Sequence, residues 1–229
     1  MAAGMPPGRL DPRFRGGDEG GSVAAGVTWL GGGPSPTTRR LVERQARALG
    51  TIGSEALLQT RKLALLCSRA CPGSIIVQTL DVVRALRETA WTVVSGFQSP
   101  TEQECLEILL RGGHPVIVCP ARSVERMRIS AAWKAAVAAG RMLITSPFEE
   151  TVRRATAATA EERNRFVVSL ADAIFIPHAA PGGGLERLCQ MIPATGKRLW
   201  TLADDANGRL LEIGAEALCP KDVRKWSEL

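Results

Sequence analysis

The chain has 229 residues and a formal net charge of +6, from 29 Lys and Arg against 23 Asp and Glu. With 45% hydrophobic and 23% charged residues it has the composition of a globular protein, which excludes fibrous and low-complexity classes. No apolar run approaches the roughly 18 residues that span a membrane. No basic segment followed by an apolar one opens the chain. The six cysteines are spaced irregularly and mostly sit in or beside apolar runs, so they read as reduced cytosolic thiols and not as a disulfide scaffold.

In chain order, the first 36 residues hold 10 of the 23 glycines and 5 of the 14 prolines, and their charges cancel. No apolar period runs through them, so they bury too little surface to offset their chain entropy. The expectation is a disordered tail over 1–36 and one domain over 37–229, which then carries the whole positive charge. The stretch Leu10–Glu19 also resembles translated repeat elements, which points to a start further downstream.

From Thr37 onward helical patterns alternate with apolar runs. A first helix is expected over Arg39–Leu49, stopped by Gly50. Strands are expected at Lys62–Cys67, Trp91–Ser95, Pro115–Cys119, Arg141–Thr145, Ala173–Ile176 and Lys197–Leu202. These runs are continuously hydrophobic and do not alternate, as in strands covered on both faces of a parallel sheet. Between them lie helix starts: a capping box with proline at the first helical position, Ser99-Pro100-Thr101-Glu102, a cap at Ser130 before Ala131–Ala139, and a second capping box, Thr159-Ala160-Glu161-Glu162. The alternation predicts an open, doubly wound α/β sheet, mostly parallel, with helices on both faces.

In such a sheet ligands bind outside the carboxyl ends of the strands. Three segments sit there. After the first strand comes Cys67-Ser68-Arg69-Ala70-Cys71-Pro72-Gly73-Ser74, with Arg69 placed to fork onto a phosphate, or equally a plain turn with Ser74 as a cap. After the second comes Ser95-Gly96-Phe97, where glycine admits either a close ligand or a tight turn. After the fifth comes Pro177-His178, then Gly182-Gly183-Gly184 and Glu186, an N–H-rich loop at a helix start that reads as an anion cradle or a flexible turn. His178 stands beside that loop within reach of a ligand, whereas His114, at the other end of the sheet, reads as structural. Arg163 and Arg165 do not share a helix face, so one is expected to point at the strand ends and the other at solvent. Cys67 and Cys71 read as structural, two histidines and scattered cysteines make no spaced metal set, no Gly-x-Ser-x-Gly elbow supports a hydrolase, and no cofactor is expected.

Taken together, the segments resemble the DNA-processing protein A (DprA/Smf) family, within the Rossmann-like group that also holds the lysine decarboxylase-like phosphoribohydrolases. Cys67-Ser68-Arg69 is similar to the family's Gly-Ser-Arg, and Ser95-Gly96-Phe97 to the start of its Ser-Gly-Leu-Ala-Arg-Gly-Ile-Asp. Ser146-Pro147-Phe148 stands at its Ser-Glu-Xaa-Pro turn, Arg163-Asn164-Arg165-Phe166 at its Arg-Asn-Arg-Ile, and Gly183-Gly184-Leu185 at its Gly-Ser-Leu. The resemblance implies a Rossmann-like fold that binds single-stranded DNA and helps to load RecA in recombination and natural transformation, in the cytoplasm and as a homodimer. It implies a binding pocket lined by Ser68, Arg69, Ser95, Gly96, Arg163, Asn164, Arg165, Gly182, Gly183 and Gly184. Beyond Phe97 the chain departs from Arg-Gly-Ile-Asp, so an arginine and an aspartate of the pocket are expected to be missing.

Three functions from different classes follow. A binder of single-stranded DNA or a nucleotide, without catalysis, suits the basic stretches Arg39–Arg47, Arg122–Arg141 and Arg153–Arg165. A nucleotide phosphoribohydrolase would use Glu186 against a developing ribosyl cation, although the acid also reads as a first-turn residue favoured by the helix dipole. A nucleotide sensor would use the same crevice.

Overall fold

The computed structural model describes residues 50–221 and 223. The tail expected over 1–36, the helix expected over Arg39–Leu49 and the basic stretch Arg39–Arg47 lie outside the described residues. Among the described residues eight strands form one sheet: β1 (Gly50–Gly53), β2 (Lys62–Leu65), β3 (Thr92–Ser95), β4 (Val116–Val118), β5 (Met142–Ser146), β6 (Ala173–Phe175), β7 (Arg198–Leu202) and β8 (Glu216–Leu218). Their order is β1-β5-β4-β3-β2-β6-β7-β8. All neighbours are parallel except the edge strand β1, which pairs antiparallel with β5.

Six α-helices among the described residues connect these strands: α1 (Gly73–Leu86), α2 (Pro100–Arg111), α3 (Ala131–Ala138), α4 (Ala157–Leu170), α5 (Gly184–Cys189) and α6 (Gly208–Glu212). They divide between two cores, one on each face. Leu63, Leu65, Val93, Val116, Val118, Met142 and Ile144 turn to the face covered by α1, α2 and α3. Ala64, Leu66, Val94, Ile117, Leu143 and Ile174 turn to the face covered by α4, α5 and α6. Successive strand residues point to opposite faces, so a strand apolar at every position feeds both cores. That is the physical reason the runs do not alternate.

The sequence places six strands correctly to within a residue or two, and misses β1 and β8. Both lie at the sheet's edges and carry few large apolar residues. Gly50, expected to stop a helix, opens β1 opposite Ser146. The capping box of α2 is as expected, with Ser99 accepting from the Glu102 N–H and the Glu102 side chain accepting from the Ser99 N–H. The box of α4 lies one turn earlier than expected: Thr156 is the cap and Thr159 its reciprocal partner. A Thr-x-x-Thr pair satisfies the same two N–H groups as Ser-x-x-Glu, and the helix gains a turn over the expected start.

β2 is the hinge of the topology. From it the chain winds through β3 and β4 to β5 on one side, whereas β6, β7 and β8 fill the other. The reversal between β2 and β6 opens a crevice outside their carboxyl ends, the place where this class of sheet takes its ligands.

Candidate functional site

The chain leaves β2 into Cys67-Ser68-Arg69 and leaves β6 into Pro177-His178, on the two sides of that reversal. Ser68 ties them together: its N–H donates to the His178 carbonyl at 3.0 Å, and its hydroxyl accepts from the Ala180 N–H at 2.9 Å. Beyond Ser68, in front of β2 and β3, lies a cavity of about 620 Å³. One wall is the segment carrying Ser68 and Arg69, and the floor is the start of α2 with Gln98 and Glu102. The opposite wall is one face of α4, where Thr156, Ala160, Arg163 and Asn164 recur at helical spacing.

Arg163 is the best-anchored cation of the site, only 4% exposed. Its Nη1 donates to the Cys119 carbonyl at 3.1 Å, its Nη2 to Gln98 Oε1 at 3.1 Å and its Nε to Asn164 Oδ1 at 2.8 Å. Burial lowers its pKa from the usual arginine value, and the Glu102 carboxylate opposes that shift. The guanidinium packs against Gly96, where a Cβ would occupy the space of Arg163 Nη1. The glycine expected to admit a ligand therefore admits an arginine first.

Counted along the family's Ser-Gly-Leu-Ala-Arg-Gly-Ile-Asp, the final acid falls on Glu102, so the acid expected to be missing is present as a glutamate. It is buried, and its carboxylate accepts from the N–H groups of Cys67 at 2.9 Å, Gln98 at 2.8 Å and Ser99 at 3.3 Å. Burial pushes its carboxyl above the usual range, against the pull of those N–H groups and of Arg163. Glu102 thus joins the end of β2 to the turn after β3 and already fills the N–H cradle there. The arginine of the motif falls on Ser99, the cap of α2, so the cations of the cavity are Arg69 and Arg163.

The other expected site residues are placed as follows. Arg69 is exposed at the mouth of the cavity. Ser95 is fully buried, its hydroxyl accepting from the Phe97 N–H at 3.2 Å, and it holds a left-handed turn at Phe97 (φ 49°). Arg165 points away from Arg163, is exposed, and faces Glu161 at 3.9 Å, beside a small hollow shared with Asn164, Gly184 and Arg187. The glycine loop spends its donors on itself: Gly182 N–H donates to Glu186 Oε2 at 2.8 Å and Gly183 N–H to the Ala180 carbonyl at 3.0 Å. Gly182 has φ +72°, a conformation that glycine adopts freely.

Glu186 is buried, and its second oxygen meets Arg209 Nε at 2.9 Å. Both oxygens are engaged outside the cavity, which fits its reading as a first-turn acid. His178 is buried with Nδ1 3.0 Å from Asn207 Oδ1, and Asn207 donates to the carbonyls of Pro177 and Leu202. It braces β6 against the Asp205–Asn207 turn.

The sequence reading did not single out Gln98, Glu102 and Thr156 as site residues. Glu102 was legible as half of a capping box, and the α4 face 156, 160, 163, 164 as a helical period. That both meet Arg69 depends on sheet order.

A family model described as DNA recombination-mediator protein A matches residues 35–218. The chain belongs to that family.

The solved structures agree on the fold. DNA processing protein A (DprA) from Streptococcus pneumoniae superposes with a TM-score of 0.65 at 19% identity, over 77% of this chain and 65% of that one. This chain thus spans just under two thirds of the pneumococcal protein. DNA processing protein A from Helicobacter pylori, described for its single-stranded DNA binding mode, gives 0.64 at 23% identity, over 79% and 85% of the two chains. The molybdenum cofactor carrier protein of Chlamydomonas reinhardtii shares the Rossmann-like sheet more distantly, at 0.51 and 11% identity over 73% of this chain and 96% of that one. No curated protein matches the chain.

Proposed function

We propose that this member of the DNA recombination-mediator protein A family binds single-stranded DNA in the cavity at the carboxyl ends of β2 and β3, and catalyses no reaction on it. The observation that carries the reading is the pair of guanidiniums on opposite walls of one cavity, Arg69 on the loop after β2 and Arg163 on α4. A volume of about 620 Å³ has the scale of a nucleotide. The two walls differ in kind. Arg163 is fixed by three acceptors and presents its remaining N–H groups in a set direction, while Arg69 is free to follow a phosphate. Asn164 gives its Oδ1 to Arg163, which leaves its amide NH₂ for a base or sugar.

Ser68, Ser95, Gly96 and Glu102 hold this arrangement, and Arg165 with the Gly182–Gly184 loop flanks it. The H. pylori relative's single-stranded DNA supports the choice of ligand. Recombination or DNA uptake, RecA as a partner, a homodimer and a cytoplasmic setting complete the reading. Among the described residues no helix is long and apolar enough to cross a membrane.

The test is fluorescence anisotropy of a labelled single-stranded oligonucleotide with the full chain at several salt concentrations, repeated with Arg69→Ala and Arg163→Ala. Binding that weakens with salt and falls about tenfold or more in each variant is expected, the scale of a lost charged hydrogen bond. Affinity indifferent to both substitutions overturns the reading.

A further inference from the structure

The seat of Arg163 fixes more than the arginine itself. A guanidinium has only N–H donors and no acceptor, so an amide within bonding distance of it must present its oxygen. Gln98 does so with Oε1 at 3.1 Å and Asn164 with Oδ1 at 2.8 Å. Flipping either amide would set N–H against N–H, so Arg163 decides the orientation of both. Their NH₂ groups are turned away from it, and among the described residues neither meets an acceptor.

The other oxygens of the cavity are engaged in the same way. Ser68 accepts from the Ala180 N–H at 2.9 Å, Ser99 from the Glu102 N–H at 3.3 Å and Thr156 from the Thr159 N–H at 3.2 Å. Glu102 accepts from three N–H groups. Every side-chain oxygen on the cavity wall therefore already accepts a hydrogen bond from the protein. What stays open is donors: the two amide NH₂ groups, the N–H groups Arg163 keeps after its three bonds, and Arg69 at the mouth. The remaining wall, with Ala157, Ala160 and Leu185, is apolar.

Donors beside an apolar wall complement a flat ring whose edge carries acceptors only. Among the DNA bases guanine offers this, with O6 and N7 adjacent on its major-groove edge. Adenine and cytosine bring an amino group against the donors, and thymine offers one acceptor there beside its methyl group. A phosphate alone would use the donors but leave the apolar wall and most of the cavity's 620 Å³ unfilled. We propose that the cavity takes a base and prefers guanine, with O6 and N7 on the open donors of Gln98, Arg163 and Asn164 and an adjoining phosphate on Arg69. The proposal rests on the single-stranded DNA reading and adds to it a choice among sequences. Gln98 and Asn164 determine the specificity, and Arg163 positions them.

The test compares labelled strands of equal length on the full chain by fluorescence anisotropy, in lithium buffer to keep guanines from forming quartets. One strand alternates thymidine and guanosine, the second carries 7-deazaguanine, which has C–H in place of N7, and the third is oligothymidylate. The guanine strand is expected to bind about fivefold or more tighter than either other strand, the scale of a lost base-edge contact. Asn164→Asp keeps an oxygen on Arg163 and replaces the NH₂ with an acceptor. Its added charge weakens all strands alike, so the ratio of guanine to 7-deazaguanine affinity should fall towards one. A ratio kept in that variant overturns the assignment to the amides. Equal affinity for the three strands, each still weakened by Arg69→Ala, overturns the guanine preference and leaves the DNA reading in place. If no strand binds, both fall. The decisive ratio is measured on the unsubstituted protein, so a folding defect in the variant does not blur it.

Discussion

At Gly96 the absence of one methyl group sets the position of Arg163, since any Cβ there would occupy the guanidinium's place. Gly96→Ala should therefore expel Arg163 from its three acceptors and leave the Cys119 carbonyl buried without its donor. We expect a loss of about 2 kcal/mol in urea unfolding, together with a loss of oligonucleotide binding close to that of Arg163→Ala. A stable variant with unchanged affinity would show that Arg163 does not need this seat. The interior thiols make a separate prediction. Burial pushes Cys119 and Cys189 up to about 12, and Cys105 further. The unfolded chain ionises these thiols near pH 8.5, so above that pH it binds fewer protons than the folded chain. Stability should fall between about pH 9 and 11, by up to roughly 1.4 kcal/mol per pH unit for each thiol. Urea midpoints across that range, for the chain and for Cys119→Ala, measure the slope and one thiol's share of it.

Helix α4 carries three separate features: its capped start and inward face at the cavity, and on its outer side a link to α5. Thr156 and Thr159 satisfy each other's backbone N–H groups, so Thr156→Ala should cost about 1 kcal/mol. Because Thr156 also lines the cavity, that variant should weaken DNA binding modestly, while a cap on the far side, Ser130→Ala in α3, should cost stability alone. On the outer face Glu161 bridges Arg165 at 3.9 Å and Arg187 at 3.2 Å. A phosphate approaching these arginines competes with that carboxylate. Glu161→Gln should tighten oligonucleotide binding roughly twofold to fivefold, the scale of an exposed ion pair, read by the same anisotropy titration. Unchanged affinity would place the strand away from this flank.

At the scale of the whole molecule, a net charge of +6 favours a polyanion at any orientation, and only the crevice makes the contact specific. If Arg69, Arg163 and one flanking cation meet phosphates, log affinity against log salt should have a slope of roughly −2, about 0.7 per phosphate of a single strand. A slope near zero would mean that the cavity holds the ligand by uncharged contacts. The opposite end of the sheet is built for packing. Lys62 and Asp172 approach at 3.4 Å, and Lys197 donates to the carbonyls of Val168 and Ser169 at the end of α4. Burial lowers the Lys197 amine to about 8, so it keeps most of its charge at neutral pH and loses it as the pH rises past that value.

The sequence by itself determined the class of fold, because strands that feed two cores are apolar on both faces along their middles, and the Leu-Ala-Leu of β2, Val-Val of β3, Val-Ile-Val of β4 and Ala-Ile-Phe of β6 are. It determined the helix start at Ser99 through a local hydrogen-bond pattern, and the opposed directions of Arg163 and Arg165 through helical geometry. It did not show the edge strands β1 and β8, whose pairing comes from a neighbour and not from their own composition. Arg69 and Arg163 were placed in one pocket by the family resemblance alone, and no local pattern showed that Arg163 on α4, Glu102 on α2 and Arg69 after β2 meet. Residues 69 and 163 stand 94 positions apart, and no local propensity records the order in which strands pair. Once β2 lies between β3 and β6, the loop after β2 and the inward face of α4 share one opening, and the scattered polar residues become a site.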